Sequence, residues 1–103
     1  MNVSNEISAF LEKFFALYPG ADEIELSYHV KDSALPFINR DYEFVELASS
    51  VYEKQGKAVR ANIVVKYYDE TLGVNQLSQF DLMLEKNENW FIVPLKSELQ
   101  SSH

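Results

Sequence analysis

His29, Asp32 and Ser33 are the residues whose types and closeness along the chain suit proton transfer or activation of a hydroxyl. A general base at neutral pH needs an imidazole whose second ring nitrogen is oriented by a partner. Asp32 and Ser33 are near enough in sequence to be tried in that role. No G-x-S-x-G turn presents a serine as a nucleophile, however, and the only other histidine is the terminal His103. His29 therefore reads as a partly exposed residue at a helix end. Carboxylates gather at Asp22, Glu23 and Glu25 and again at Asp69 and Glu70, without the spaced acidic loop of a calcium site. The first group suits a helix start and the second a turn. The chain has no cysteine, which excludes disulfides, thiolate nucleophiles and zinc-thiolate sites. Its three glycines, Gly20, Gly56 and Gly73, fall at breaks between elements, so no phosphate cradle or dinucleotide loop is available. The residues point to no catalytic constellation, no cofactor and no metal.

The elements that would have to position a site are legible from periodicity. Ile7, Phe10, Leu11, Phe14 and Tyr18 recur at three- and four-residue steps, one face of a helix starting near Ser4, and Phe15 and Leu17 widen that face. Glu12, Lys13 and Ala16 form its narrow exposed side. Pro19-Gly20 stops this helix, and Asp22 with Glu25 has the capping spacing for a second one from Glu23 to about Val30. Leu35-Pro36 forbids its continuation.

Beyond Tyr42 the period becomes two. Val59, Ala61, Ile63, Val65 and Tyr67 alternate with Arg60, Asn62, Val64, Lys66 and Tyr68, and Phe80, Leu82 and Leu84 alternate with Gln79, Asp81, Met83 and Glu85. Turns are expected at Lys54-Gln55-Gly56-Lys57, Glu70-Thr71-Leu72-Gly73 and Lys86-Asn87-Glu88-Asn89, the last leading into Trp90 to Val93. Short turns make antiparallel neighbours. The expected fold is α+β: two N-terminal helices on one face of a four-stranded antiparallel meander whose long strands curl strongly around the first helix, with a bulge as the device for the curl. The product is a cone.

With 103 residues the chain has room for one domain and one core, removing roughly 65% of the extended chain's surface from water. A net charge of −7 argues against a nucleic acid as direct ligand, because such binding draws on clustered Lys and Arg and the nine here are scattered. No apolar run approaches the roughly 20 residues of a membrane helix. Phe10, Phe14, Phe15, Tyr67, Phe80 and Trp90 either fill the cone or line a pocket in it; filling is favoured, since each buried ring contributes roughly 1.5–3 kcal/mol. On the solvent side of the sheet, Val64, Tyr68 and Met83 are apolar where the alternation points outward, which makes them the candidate interface.

Two stretches carry more than a fold pattern: FFALYPGADEIELSYHVKD, from Phe14 to Asp32, and VVKYYDE followed by QLSQFDLMLEKNENWFIV, between Val64 and Val93. They resemble the C-terminal domain of the TcpC-like conjugation proteins of Gram-positive conjugative transposons and plasmids. The resemblance implies a nuclear transport factor two-like, or cystatin-like, cone. It also implies a non-enzymatic scaffold subunit of a type IV secretion-like DNA-transfer channel, lying in the cell envelope outside the membrane. The implied partners are other channel subunits and further copies of the chain, with no direct contact to nucleic acid. Members of that family carry a membrane helix and a preceding domain of similar fold. The expectation is therefore that residues 1–100 are one domain excised from a longer membrane-anchored protein, and that Ser101-Ser102-His103 are a vector remnant. Membrane attachment would come only through a segment absent from this chain.

A second reading stays open by analogy of fold. Cones of this type also host isomerases and dehydratases, and Tyr18, Tyr28, His29 and Asp32 would then be the pocket residues. The two readings separate on whether the inside of the cone is filled or hollow.

Overall fold

Helix α1 (Val3–Leu17) begins the computed structural model, which describes residues 3–95. The expected vector remnant at 101–103 lies outside those residues. Ile7, Leu11, Phe14 and Phe15 are buried along one side of α1, while Glu12, Lys13 and Ala16 are exposed, as the helical spacing requires. Ser4, placed at the helix start by its capping chemistry, stands just inside the helix. A single 3-10 turn, Tyr18–Gly20, takes over at Pro19. Asp22 then caps the next helix, its Oδ1 accepting a hydrogen bond from the Glu25 amide at 2.8 Å.

Helix α2 (Glu23–Ser27) is shorter than its capping signal and the following residues suggest. The expected end near Val30 is overruled by the sheet. Val30 forms a parallel bridge with Ile92; the Ile92 amide donates to the His29 carbonyl (2.9 Å) and the Lys31 amide donates to the Ile92 carbonyl (2.8 Å). A backbone that must serve the sheet edge at His29 and Lys31 has left the helix before reaching them. Asp32 and Ser33 follow with φ of 53° and 56°, the left-handed region that Asp tolerates better than most residues. They reverse the chain on the bond from the Ala34 amide to the Lys31 carbonyl (3.1 Å).

The sheet is a four-stranded antiparallel meander in the order β1 (Tyr42–Gln55), β2 (Ala58–Asp69), β3 (Val74–Lys86), β4 (Trp90–Val93). All three turns fall where turn chemistry put them. Gly56, at φ 63°, opens the two-residue connection between Gln55 and Ala58, the glycine-first arrangement that matches strand twist. At the β2–β3 turn the buried Asp69 does the local work: its Oδ1 accepts from the Thr71 and Leu72 amides (2.9 and 3.1 Å), and its carbonyl accepts from Gly73 (2.7 Å).

Along β2 the side chains of Val59, Ala61, Ile63, Val65 and Tyr67 are all buried, facing α1, and Leu82, Leu84 and Ile92 extend that layer. Strand β1 does not alternate evenly. Its register against β2 shifts between Phe44 and Glu46 and again between Leu47 and Ser49. The first shift turns Glu46 out and Leu47 in; the second restores the phase, so that Tyr52 packs on the core. The expected bulge is thus a pair of bulges, and bulges bend the strand that carries them.

Near the start of α1, Glu6 ties the helix to the last hairpin. Its Oε1 accepts from Lys86 Nζ at 2.5 Å and from Trp90 Nε1 at 2.8 Å. These hydrogen bonds, Lys86 foremost, hold the Glu6 carboxyl below its ordinary 4.5, against a smaller opposing effect of desolvation. Asp81 is likewise held below its ordinary 3.8 by the Arg60 guanidinium. Both pKa values are lower folded than unfolded, so the stability they contribute is present above about pH 4.5 and is lost as pH falls through the folded values. The thermal midpoint is expected to be flat between pH 5 and 7 and to decline below 4.5. Glu6→Gln should shallow that decline, and an unchanged acid limb in this variant would refute the role assigned to Glu6.

Candidate functional site

The four residues of the enzyme reading are not brought together. Tyr18 is buried, and its hydroxyl donates to the Pro36 carbonyl at 2.6 Å; burial pushes its pKa up to about 12, so it stays neutral and structural. Tyr28 lies at the end of α2 and is 66% exposed. His29 is half-buried, with its ring edge-on to Phe14 at 6.0 Å between centroids, and its carbonyl is taken by Ile92. Asp32 is exposed at the left-handed turn and lines a surface groove with Leu26, Val30 and Phe37, a groove that none of the other three reaches.

The inside of the sheet is occupied by rings. Phe14 stacks on Tyr18 (5.3 Å) and meets Phe15 edge-on (4.9 Å), while Phe15 lies 4.7 Å from Phe80. The Tyr67 hydroxyl donates to the Phe15 carbonyl at 2.8 Å, and burial raises its pKa. Among the described residues no buried side-chain nitrogen or oxygen is without a hydrogen-bond partner, and no three His, Asp or Glu side chains are placed to hold a metal ion. Of the six aromatic residues expected inside, Phe14, Phe15 and Tyr67 are fully buried, and Phe10, Phe80 and Trp90 pack around them half-buried. Phe14, Phe15, Phe80 and Tyr67 pack against one another or the backbone, while Trp90 stands on the wall of a groove between α1 and the β1–β2 hairpin.

What the fold presents outward is the other face of the sheet. Its residues lie in cross-strand rows fixed by the register: Glu43, Tyr68 and Asn75; Glu46, Lys66 and Leu77; Ser49, Val64 and Gln79; Val51, Asn62 and Asp81. Within this mixed surface Val51, Val64 and Leu77 form a diagonal across three strands, each one row on from the last, and diagonal neighbours of this kind are within reach of one another. Val51 is 63% exposed and Leu77 66%; Val64 between them is half-buried. Tyr68, on β2 one row beyond Leu77, is 37% exposed. Beside the stripe, Arg60 clamps Asp81 with two bonds of 3.0 and 2.6 Å.

Of the three residues expected to form an outward patch, Val64 and Tyr68 stand there and Met83 does not: it is 4% exposed. Met83 points outward but is opposed directly by Arg60 on β2 and Val93 on β4, and a long arginine stem beside it covers apolar surface while its head reaches Asp81. Leu77 and Val51 take its place in the exposed stripe. Leu77 has the same parity as Gln79 and Asp81, so the alternation carried back to the start of β3 at Val74 points it outward. Val51 was hidden by the two bulges. An exposed apolar diagonal flanked by Glu43, Glu46 and Lys66 has the chemistry of a protein contact surface.

Compared with known families, residues 1–93 match the family described as conjugative transposon protein TcpC. No curated protein gives a match.

Proposed function

The chain belongs to the conjugative transposon protein TcpC family, which ties it to conjugation, and on that premise we propose that it is a non-enzymatic scaffold domain of the DNA-transfer channel. In this reading the domain is a nuclear transport factor two-like cone, one part of a longer membrane-anchored protein, held on the extracytoplasmic side of the membrane. It binds other channel subunits and further copies of itself, and the DNA passes without being read by it. The observation that carries the reading is the contrast between the two sides of the sheet. The inner side is packed with Phe14, Phe15 and Tyr67, while the outer side leaves Val51, Val64, Leu77 and Tyr68 in a stripe available to a partner. The net charge of −7 agrees with a domain that does not grip phosphates. The dispersal of Tyr18, Tyr28, His29 and Asp32 supports a binding role over an acid-base one.

Transfer frequency tests this. An in-frame deletion of the codons for Val3 to Val93 from the element that carries them is expected to abolish transfer, and His29→Ala to leave it near normal. Loss of transfer from His29→Ala in a stably folded protein would overturn the scaffold reading in favour of chemistry at the imidazole.

A further inference from the structure

The two ends of α1 carry opposite and complementary surfaces. At its N-terminal end lies a groove of about 410 Å³ between α1 and the β1–β2 hairpin, with Val3, Val59 and Trp90 on its walls and Lys54, Lys57 and Lys86 around it. Lys86 is engaged by Glu6, which also lines the groove, so Lys54 and Lys57 supply its remaining charge. Three of the chain's nine Lys and Arg residues thus meet at one groove in a protein of net charge −7.

At the other end of α1, beyond the 3-10 turn, α2 displays the reverse. Asp22, Glu23 and Glu25 are exposed, and Ile24 and Tyr28, four positions apart, are 69% and 66% exposed. Residues four apart on a helical turn lie on one side. The segment is therefore acidic with two unburied apolar side chains, and none of the described residues covers them. A helix of 15 residues is roughly 22 Å long, so α2 cannot enter the groove of its own chain.

The geometry points to a head-to-tail contact between copies of this chain, in which α2 of one molecule inserts Ile24 and Tyr28 into the groove of the next, with Glu23 and Glu25 facing Lys54 and Lys57. Charge complementarity selects the orientation and the apolar pair supplies the burial. Because the two surfaces differ, the contact is heterologous, and repetition yields a ring if the rotation closes or a filament if it does not. This inference rests on the self-assembly part of the proposed function and gives it a surface. Mass in solution tests the contact, whereas transfer frequency tests the role, so either can fail alone.

Sedimentation of the whole chain from about 10 μM to about 1 mM is the experiment, the upper limit corresponding to a contact of roughly 4 kcal/mol. The wild-type chain is expected to exceed monomer mass at the upper end and to lose assembly as salt is raised. Lys54→Glu with Lys57→Glu should give monomer, and Glu23→Lys with Glu25→Lys should give monomer. An equimolar mixture of the two double variants should assemble again, because each groove then meets an α2 of opposite sign. Ile24→Ser should also give monomer with no change of charge. The chain has no cysteine, so Tyr28→Cys mixed with Lys57→Cys and treated with a thiol oxidant such as diamide provides a second measurement: the two thiols are oxidised to a disulfide-linked pair, and the diamide reduced, if the faces meet. A monomer throughout the range, unchanged assembly in the charge variants, or no rescue and no cross-link in the mixtures overturns the contact.

Discussion

Phe14→Ala is expected to cost about 3–5 kcal/mol and to lower the unfolding midpoint by on the order of 12–40 °C, at or beyond the limit of what a domain of this size can lose. Phe14 is 1% exposed, and its ring meets four others: Phe10 on the preceding turn of α1, Phe15 beside it, Tyr18 in the 3-10 turn and His29 beyond α2. Removing the ring takes away its transfer free energy and leaves a hole lined by groups anchored elsewhere. Tyr18 is held by Pro36 and His29 by Ile92, so neither moves in easily. Phe14→Leu, which keeps most of the volume, should cost roughly half as much or less. Thermal unfolding of the two variants measures the difference. A small loss in Phe14→Ala would mean that the core has slack, and a core with slack reopens the reading of the interior as a ligand pocket.

The features that were legible in the sequence are those decided by neighbours close along the chain. Asp22 caps α2 because its side chain meets an amide three residues on, and Gly56 and Gly73 allow turns through their own φ. The burial of alternate residues from Val59 to Tyr67 followed from a strand with one face against α1. What could not be read depends on distant partners. The end of α2 is set by Ile92, more than sixty positions later, and propensity within Glu23 to Val30 carries no trace of it. The bulges of β1 answer a conflict between Glu46, which must face water, and the even alternation that would have turned it inward.

The candidate site divides in the same way. Val64 and Tyr68 lie on β2, whose phase is uniform, and their outward direction was correctly assigned. Met83 obeys the same parity, yet its exposure depends on what stands to either side in the sheet, and the register that sets Arg60 and Val93 against it comes from the fold. Parity gives the direction of a side chain; the length and chemistry of its cross-strand neighbours give its exposure. The dispersal of Tyr18, Tyr28, His29 and Asp32 has a similar cause. Their closeness in sequence is cancelled by the early end of α2 and by the reversal at Asp32 and Ser33.

Ile92→Ala is expected to cost about 2–5 kcal/mol, and its effect should be felt first in a segment sixty residues away. Ile92 is fully buried opposite Leu84, and its backbone holds both His29 and Lys31. That pair of hydrogen bonds is what turns the end of α2 into an extra edge on β4, a strand of only four residues with one long neighbour. Short strands hold such an edge only while their side chains stay anchored, because the backbone bonds alone contribute roughly 0.5–1.5 kcal/mol each. Loss of the Ile92 side chain should therefore let residues 29–31 open below the global unfolding energy. In hydrogen exchange the Lys31 amide is expected to lose protection well before those of β2 and β3, whereas Ile92→Val, at about 0.5–1.5 kcal/mol, should keep the order of exchange of the parent chain. If Lys31 retains the same protection as β2 in Ile92→Ala, the edge is held by α2 itself and the anchoring assigned to β4 is wrong.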